Sequence, residues 1–290
     1  MTTEPESVAP IAPTLLLEVA VETAREAGAL LREKLGAPRQ IRFKSAHNDL
    51  VTDGDQAAEA LITARVRARF PDHRILAEEG ATGAPISPYR WLIDPVDGTT
   101  NFAHNVPAFA VSIGVEHDDQ LQAGVVYNPA SDELFAAALG HGATLNGQPI
   151  AVTPIWRPES ALVGCGAITF RRQGRTIKAA RAFWNITQGC RTTGAAALDL
   201  CYVACGRFEL FCAPSLRPWD VAAGALIVRE AGGEVTDFDG GPHRLDRQDI
   251  LASNGAVHSF ALGVVRGEIT GHPTIAGRLK ALRKRTASRK

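Results

Sequence analysis

Apolar residues near the start of the chain recur at helical spacing. Leu16, Ala20, Ala27 and Leu31 fall on one face of a segment that we predict to be a helix from residue 14 to about residue 34. Thr14 is the expected cap of this helix, because a threonine side chain can accept a hydrogen bond from the first free amides.

A second helix is predicted from Asp53 to near residue 70. Ala58, Ile62 and Val66 repeat every four residues within it, as the buried face of an amphipathic helix does. Asp53 and Gln56 resemble a capping box, in which two side chains bond reciprocally to the first amides.

Short apolar and alternating runs predict strands over much of the remaining chain. A strand is expected at residues 74–77 and another at 91–93, where Pro95 should turn the chain because proline cannot continue a sheet ladder. The next strands should be successive and antiparallel: 108–116, 121–128 and 133–138. Asn146-Gly147 marks a tight hairpin.

The second half mixes strands and helices more evenly. Strands are predicted at 161–164, 189–192, 208–212, 234–237 and 249–252, and helices at 194–205, 220–231 and from about 254. This mixture predicts an α/β (α+β) fold. We divide the chain into a flexible leader (1–13), an N-terminal α+β half (14–155), a C-terminal α/β half (156–275) and a basic tail (276–290).

The composition is that of an ordinary globular protein. Apolar residues make up 45% of its 290 residues, and 31 basic residues balance 31 acidic ones. A neutral chain makes nucleic acid an unlikely general partner. No apolar run approaches the roughly 20 residues that span a bilayer, and five cysteines do not suggest a disulfide framework. We therefore expect a cytoplasmic protein without a membrane partner.

The sequence Asp-Pro-Val-Asp-Gly-Thr-Thr-Asn-Phe at residues 94–102 carries the most distinctive chemistry. Asp94 and Asp97 can converge with the carbonyl of Val96 between them, which suits a hard cation. Gly98 allows close approach of the backbone, and the Thr99 amide can bind an anion if a helix starts there. Taken alone, the stretch could equally be a surface turn, because aspartate, proline and glycine are all turn formers.

Other acids at element boundaries favour the metal site. Glu78 and Glu79 follow a predicted strand, and Asp55 and Asp220 lie at helix starts, where capping is the alternative role. Two carboxylates about 4 Å apart repel by roughly 4 kcal/mol at an effective dielectric of 20, so a converging set needs cations. Oxygen ligands select Mg²⁺ or Mn²⁺ over zinc, and two such ions could clamp a phosphate ester.

With these residues in view, the chain resembles the inositol monophosphatase family of lithium-sensitive, magnesium-dependent phosphatases. The resemblance covers about residues 14–265. It rests on five ordered motifs: Asp-Leu-Val-Thr-Asp-Gly-Asp at 49–55, Leu-Ala-Glu-Glu at 76–79, the 94–102 stretch, Gly-Ala-Ala-Ala-Leu-Asp at 194–199 and Pro-Trp-Asp-Val-Ala-Ala-Gly at 218–224. It implies an alternating α-β-α-β-α layered sandwich, a homodimer, two or three Mg²⁺ ions and inhibition by Li⁺.

The resemblance also implies residue roles. The first ion is expected on Glu78, Asp94, the Val96 carbonyl and Thr99, and the second on Asp94, Asp97 and Asp220. Glu79 would support a weaker outer ion, and Thr99, oriented by Asp55, would help to deprotonate the attacking water. The remaining expected contacts to substrate come from Asp97, Gly98, Thr99, Gly194, Ala196, Ala213 and Asp220. Lys44 and Asp49 would lie near the site.

One position departs from the family pattern. Inositol-specific members carry an acid seven positions before the Asp220 equivalent, where this chain has Ala213. Alanine cannot accept hydrogen bonds from sugar hydroxyls, so inositol phosphate is doubtful as the main substrate. A small phosphorylated metabolite such as histidinol phosphate, a bisphosphorylated nucleotide or fructose bisphosphate stays open. The candidates for binding a second phosphate are Arg171, Arg172, Arg175 and Arg191.

The basic residues from Arg278 onward leave a non-catalytic alternative. They are either the solvated end of a helix or a weak contact with RNA or a protein. A regulatory or RNA-associated protein is therefore the second hypothesis.

Overall fold

The computed structural model describes residues 10–36, 41–43, 50–80, 87–166 and 173–271. Within these ranges the helices are α1 (Pro13–Lys34), α2 (Asp53–Arg69), α3 (Thr99–Ala103), α4 (Gln173–Ile186), α5 (Ala196–Ala204), α6 (Pro218–Glu230) and α7 (His258–Arg266). No helix in the described ranges combines the length and apolar character that a membrane span requires.

The described strands form two main sheets and a short hairpin of β1 (Ile41–Phe43) with β2 (Leu50–Thr52). The larger sheet has the spatial order β3 (Arg74–Ala77), β4 (Tyr89–Asp97), β5 (Ala110–His117), β6 (Gln120–Asn128), β7 (Glu133–Ala138), β8 (Ala143–Leu145) and β9 (Gln148–Ile150). The smaller has the order β11 (Gly189–Arg191), β10 (Leu162–Cys165), β12 (Leu210–Ala213), β14 (Ile250–Ser253) and β13 (Glu234–Thr236).

These elements stack in five layers. Helices α1 and α2 cover one face of the larger sheet, α5 and α6 lie between the two sheets, and α4 and α7 cover the outer face of the smaller sheet. The α-β-α-β-α sandwich is therefore confirmed. Each layer boundary is apolar, with the predicted inward residues of α1 and α2 fully buried.

Helix α6 lies close to the larger sheet because two glycines face it. A Cβ on Gly114 would lie 2.7 Å from the Cβ of Ala222, and one on Gly124 would lie 2.8 Å from the carbonyl oxygen of Ala223. Real Cβ atoms do not come this close, so the two glycines set the depth at which α6 packs. The helix thereby reaches the end of β4 with its first turn.

Several expectations about element ends were wrong. The first helix begins at Pro13, with Ala12 at the cap position and no side-chain cap, because proline needs no amide acceptor in the first turn. The capping box of α2 is formed by Thr52 and Asp55, since Thr52 still has the extended backbone that a cap requires. The last helix starts at His258, four residues later than expected, because residues 254–257 form a turn closed by Asn254 Oδ1 and the Val257 amide (3.2 Å).

The chain also does not turn at Pro95. Strand β4 continues to Asp97, and its pairing with β5 shifts register between Asp94, opposite Ser112, and Asp97, opposite Ala110. Between these two pairs β4 advances by three residues and β5 by two, as in a β-bulge. Pro95 lies within this irregularity, where the sheet does not require a hydrogen bond from a backbone amide. This irregularity brings both aspartates to the same end of the strand.

Candidate active site

Nine of the twelve site residues expected from the sequence line one cavity of about 190 Å³. They are Glu78, Asp94, Val96, Asp97, Gly98, Thr99, Gly194, Ala196 and Asp220. The cavity lies where β3 and β4 end and where α5 and α6 begin. It therefore collects side chains from four elements that are far apart in sequence.

Hydrogen bonds that involve the backbone position Glu78 and Asp220 at the cavity. The Glu78 amide donates to the Ile93 carbonyl (3.1 Å), which extends the parallel pairing of β3 and β4 by one residue. Asp220 lies in the first turn of α6, and its Oδ2 accepts the Arg217 amide (2.7 Å). Ser112 Oγ donates to the Trp219 carbonyl (3.2 Å) and ties that turn to β5.

The electrostatics of the cavity show that four carboxylates act on one another. Burial raises the pKa of Asp94 well above its usual range, and the charges of Glu78, Asp97 and Asp220 raise it further. Burial also raises the pKa of Asp97, followed by the charge of Asp220. Such groups ionise together only when a cation compensates them.

Asp97 also anchors the start of α5. Its Oδ1 accepts the Ala196 amide (3.0 Å) and its Oδ2 accepts the Ala197 amide (2.8 Å), so the carboxylate caps a helix that begins 99 residues later in the chain. These two bonds lower the pKa of Asp97 but do not offset its burial and the neighbouring charge.

Asp55 does not line the cavity but reaches it through Thr99. Thr99 Oγ1 lies 3.0 Å from Asp55 Oδ1 and 3.0 Å from the Val96 carbonyl oxygen. A hydroxyl has one hydrogen, so Thr99 donates to only one of these acceptors at a time. Burial raises the pKa of Asp55, opposed by its hydrogen bonds to Thr52 and Thr99.

Two glycines shape the anion side of the cavity. Gly98 has φ of +89° and precedes α3, and a Cβ there would lie 3.0 Å from the Ala108 carbonyl oxygen. Gly194 has φ of +86°, which explains why α5 begins two residues later than expected. Asn101 Nδ2 donates to the carbonyls of Ala108 (2.6 Å) and Thr193 (2.8 Å) and so joins the loops that carry these glycines.

Two expected site residues lie elsewhere. Glu79 borders a depression beside α2 instead of the cavity: the chain bends at Glu78 and Glu79, and the Glu79 amide donates to Glu59 Oε2 on α2 (2.8 Å). Ala213 is fully buried and packs under Gly166, so it presents no surface to a substrate.

Of the basic candidates, only Arg191 has a described side chain, and it does not line the cavity. Arg191 is exposed and donates from Nη1 to the carbonyl of Cys190 (3.1 Å). Lys44, Asp49, Arg171 and Arg172 lie outside the described residues, as does the side chain of Arg175.

Sequence reasoning missed four lining residues: Gly166, Ala195, Asp199 and Leu216. Asp199 was available as the last residue of the 194–199 motif, and its Oδ1 accepts Thr193 Oγ1 (2.9 Å). Burial raises the pKa of Asp199 to about 7. Gly166 and Leu216 had no sequence signal, since nothing local to either residue indicates that their loops meet.

The donor set fits a hard divalent cation. Among the described lining residues it consists of carboxylate, carbonyl and hydroxyl oxygens, with no thiolate or imidazole, which suits Mg²⁺ or Mn²⁺. As the side chains stand, no group of three or more His, Cys, Asp or Glu residues within the described ranges, the cavity carboxylates included, has the geometry to hold a metal ion. The gathering of these carboxylates in one buried place favours a cation here, because a cation would compensate both the burial and the neighbouring charges that raise the pKa of Asp94 and Asp97.

Comparison with known proteins agrees with this geometry. The sequence profile described as "Inositol monophosphatase family" matches residues 13–270. An inositol-1-monophosphatase of Synechocystis is 44% identical over 245 residues, covering 83% of this chain and 85% of that protein. The Nus factor SuhB of Escherichia coli is 40% identical over 259 residues, covering 88% of this chain and 97% of that protein.

The fold comparison leads to the same group. The structure of an inositol monophosphatase from Anabaena superposes with a TM-score of 0.79 at 38% identity, covering 88% of this chain and 96% of that one. Sequence profile, relatives and fold together support a phosphatase role. The chain belongs to the inositol monophosphatase family.

Proposed function

We propose that this chain is a Mg²⁺-dependent phosphatase that hydrolyses a small phosphate monoester to an alcohol and inorganic phosphate. The observation that carries the proposal is the set of four interacting carboxylates around one cavity. Glu78, Asp94, the Val96 carbonyl and Thr99 would hold one ion, and Asp94, Asp97 and Asp220 a second. Bound there, the ions would neutralise phosphate oxygens and make water acidic enough to react.

The protein's own groups would position the substrate and move the proton. The first amides of α3, at Gly98 and Thr99, have no acceptor within the helix and would bind the phosphate oxygens. Thr99 would orient the attacking water and pass its proton toward Asp55, whose raised pKa makes it a better acceptor than an ordinary aspartate. The attack would be direct and in line, without a phosphorylated enzyme.

The substrate end of the cavity favours a leaving group with few hydroxyl contacts. Gly166 and Leu216 line it and Ala213 is buried, so the acid that would bind a polyol is missing at this point. Asp199 is the one carboxylate among the described lining residues that we do not assign to an ion, and it already accepts a hydrogen bond from Thr193. We therefore rank inositol 1-phosphate below other monoesters.

A substrate panel tests this proposal. Phosphate release is measured from inositol 1-phosphate, histidinol phosphate, fructose 1,6-bisphosphate and adenosine 3′,5′-bisphosphate, with Mg²⁺ and with EDTA. We expect Mg²⁺-dependent turnover of at least one ester and a lower kcat/KM for inositol 1-phosphate than for the best one. Folded protein with no Mg²⁺-dependent turnover on any ester would refute the proposal.

A regulatory role is the second candidate, favoured by the likeness to a protein named Nus factor. RNA binding that weakens with salt and disappears when residues 278–290 are deleted would support it. Absence of RNA binding by the full chain would exclude an RNA-associated regulatory role.

We also propose a homodimer in the cytoplasm, inhibition by Li⁺ and partial replacement of Mg²⁺ by Mn²⁺, on the strength of family membership. Light scattering gives the mass of the assembly, and Li⁺ and Mn²⁺ titrations of phosphate release test the ion preferences. A monomer at micromolar concentration would count against the dimer.

A further inference from the structure

Two loops in contact with each other form the anion side of the cavity of about 190 Å³, which we call the carboxylate cavity. One loop ends at Gly98, before α3, and the other, the Gly194 loop (192–195), precedes α5. A Cβ on Gly98 would lie 3.3 Å from the Gly194 carbonyl oxygen and 3.3 Å from the Ala195 Cβ. The width of the anion side therefore depends on what holds the two loops together.

Asn101 is a side chain that joins these loops. Its Nδ2 donates to the carbonyl of Ala108 (2.6 Å) and to the carbonyl of Thr193 (2.8 Å). The Ala108 oxygen is the atom that a Cβ on Gly98 would approach to 3.0 Å, and Thr193 directly precedes Gly194. A carboxamide nitrogen carries two hydrogens, so both of its donors are used, and the two carbonyl acceptors fix the orientation of the group.

The turn that carries Asn101 is itself anchored in the core. Asn101 is the third residue of α3, where the Phe102 amide donates to the Gly98 carbonyl (3.0 Å). Phe102 is fully buried and packs edge-on against Phe109, with the ring centroids 5.0 Å apart. Asn101 thus connects a turn that the core holds in place to the Gly194 loop.

The end of the Gly194 loop is held by a second side chain, which is a proposed metal ligand. Asp97 accepts the amides of Ala196 and Ala197 at the start of α5. An ion on Asp97 would use the same two carboxylate oxygens. Asn101 carries no charge and is not a proposed ligand, so its two hydrogen bonds hold the loop independently of bound ions.

We propose that Asn101 is a positioning residue that sets the distance between the first amides of α3 and the Gly194 loop, and thereby the affinity for the phosphate group. The inference rests on the proposed phosphatase function, in which the Gly98 and Thr99 amides bind phosphate oxygens. Hydrogen bonds to an anion depend steeply on distance and angle, so a small displacement of α3 weakens them. Because Asn101 acts on the phosphate side, its effect is the same for every ester, whatever the leaving group.

Asn101→Leu removes both donors while nearly keeping the size of the side chain and adding no charge. It should raise KM at least about tenfold for each ester that the wild type hydrolyses, and weaken competitive inhibition by inorganic phosphate to the same degree. The fall in kcat should be smaller, and the Mg²⁺ concentration at half-maximal rate should stay near the wild-type value. A general loss of structure would instead change kcat and the Mg²⁺ requirement together.

Asn185→Leu is the matched control, because it makes the same replacement at an exposed position of α4. It should keep the wild-type KM and phosphate affinity. Denaturant unfolding shows whether Asn101→Leu is folded. Should it not fold, Asn101→Gln, whose donors lie one methylene further from the backbone, should raise KM and the phosphate dissociation constant together.

Calorimetric titration of the full chain with inorganic phosphate, in the presence of Mg²⁺, tests the inference separately from turnover. The wild type should bind phosphate, and Asn101→Leu should bind it at least about tenfold more weakly. Unchanged KM and phosphate affinity in a folded Asn101 variant, beside an active wild type, would overturn this inference and leave the phosphatase function standing. A wild type that binds no phosphate at millimolar concentration would also overturn it.

Absence of Mg²⁺-dependent turnover in the wild type would refute the proposed function instead. The phosphate titration of the wild type and Asn101→Leu would then still decide whether Asn101 positions an anion site.

Discussion

Thr99 is the residue at which the two sides of the carboxylate cavity meet. Its hydroxyl lies within 3.0 Å of both Asp55 and the Val96 carbonyl, and its backbone begins α3. The same side chain thus contacts both the proposed proton acceptor, Asp55, and a proposed metal ligand, the Val96 carbonyl. Neither role could be argued from Thr99 alone, since the contact with Asp55 joins residues 44 apart in sequence.

Thr99→Ala should lower kcat by about 10²-fold or more, the usual effect of removing a group that positions or transfers a proton. Thr99→Ser should keep most of the activity because it keeps the hydroxyl. Thr100→Ala, at the exposed neighbouring position, is the control and should resemble the wild type. Full activity of Thr99→Ala on the best ester would contradict the role that we propose.

His243 makes stability depend on pH. Burial, and then the charge of Arg229, lowers its pKa from 6.5 to about 4. The unfolded chain therefore takes up a proton below pH 6.5 that the folded chain takes up only near pH 4, so the free energy of unfolding falls as the pH falls through this window. The loss is up to about 3 kcal/mol.

Urea denaturation between pH 4 and 7 measures this effect. His243→Gln should have a shallower dependence of unfolding free energy on pH than the wild type. His141→Gln, at an exposed position in the turn after β7, should keep the wild-type dependence. Parallel curves for the wild type and His243→Gln would show that burial does not hold His243 neutral.

At the scale of elements, local sequence signals predicted the presence of a helix or strand better than the residues at which it begins and ends. The Asn146-Gly147 hairpin is confirmed, with both residues in the left-handed conformation, because that turn needs only its own two residues. The start of α2 depends on Thr52, which pairs with Ile41 in the hairpin of β1 and β2, outside the segment that carries the helical pattern. Helix α4 was missed, since its segment follows no clear cap.

The capping box of α2 connects stability to the site. Thr52→Ala should lower the free energy of unfolding by about 1 kcal/mol, the usual contribution of an N-cap. It should also lower kcat, because Thr52 holds Asp55 through both its amide (2.9 Å) and its hydroxyl. Thr52→Ser restores the cap and should restore both quantities. A loss of stability in Thr52→Ala without any change in kcat would contradict a role of Asp55 in the reaction.

The packing of α6 on the larger sheet gives a second prediction at this scale. Gly124→Ala should lower the free energy of unfolding by about 1–3 kcal/mol, because the new methyl group would meet the backbone of Ala223. Gly271→Ala is the control, since no described residue lies within 4 Å of the added group. Denaturant unfolding measures both, and equal stability of the two variants would contradict the close packing.

At the scale of the whole molecule, the five-layer sandwich explains why the acids converge. Glu78, Asp94 and Asp97 arrive on neighbouring strands of one sheet, while Asp220 arrives on a helix buried between both sheets. The motifs predicted which acids meet at the cavity, and family resemblance predicted the layers. The burial of Ala213 and the outward direction of Glu79 depend on tertiary packing, so the sequence did not indicate them.

The boundary near residue 155 stays a prediction. The larger sheet ends with β9 and the smaller begins with β10, on either side of that point. Yet α6, from the second half, packs on strands of the first. The two halves share a layer of helices, and the carboxylate cavity draws on both.

The central claim is that the four carboxylates hold Mg²⁺ for phosphate ester hydrolysis, and phosphate release as a function of Mg²⁺ concentration tests it most directly. Wild-type protein should show saturable, Mg²⁺-dependent release that EDTA abolishes. Asp94→Asn should fold and lose at least about 10³-fold in kcat/KM, whereas Asp119→Asn, far from the site, should match the wild type. Mg²⁺-independent release, or full activity in folded Asp94→Asn, would contradict the account.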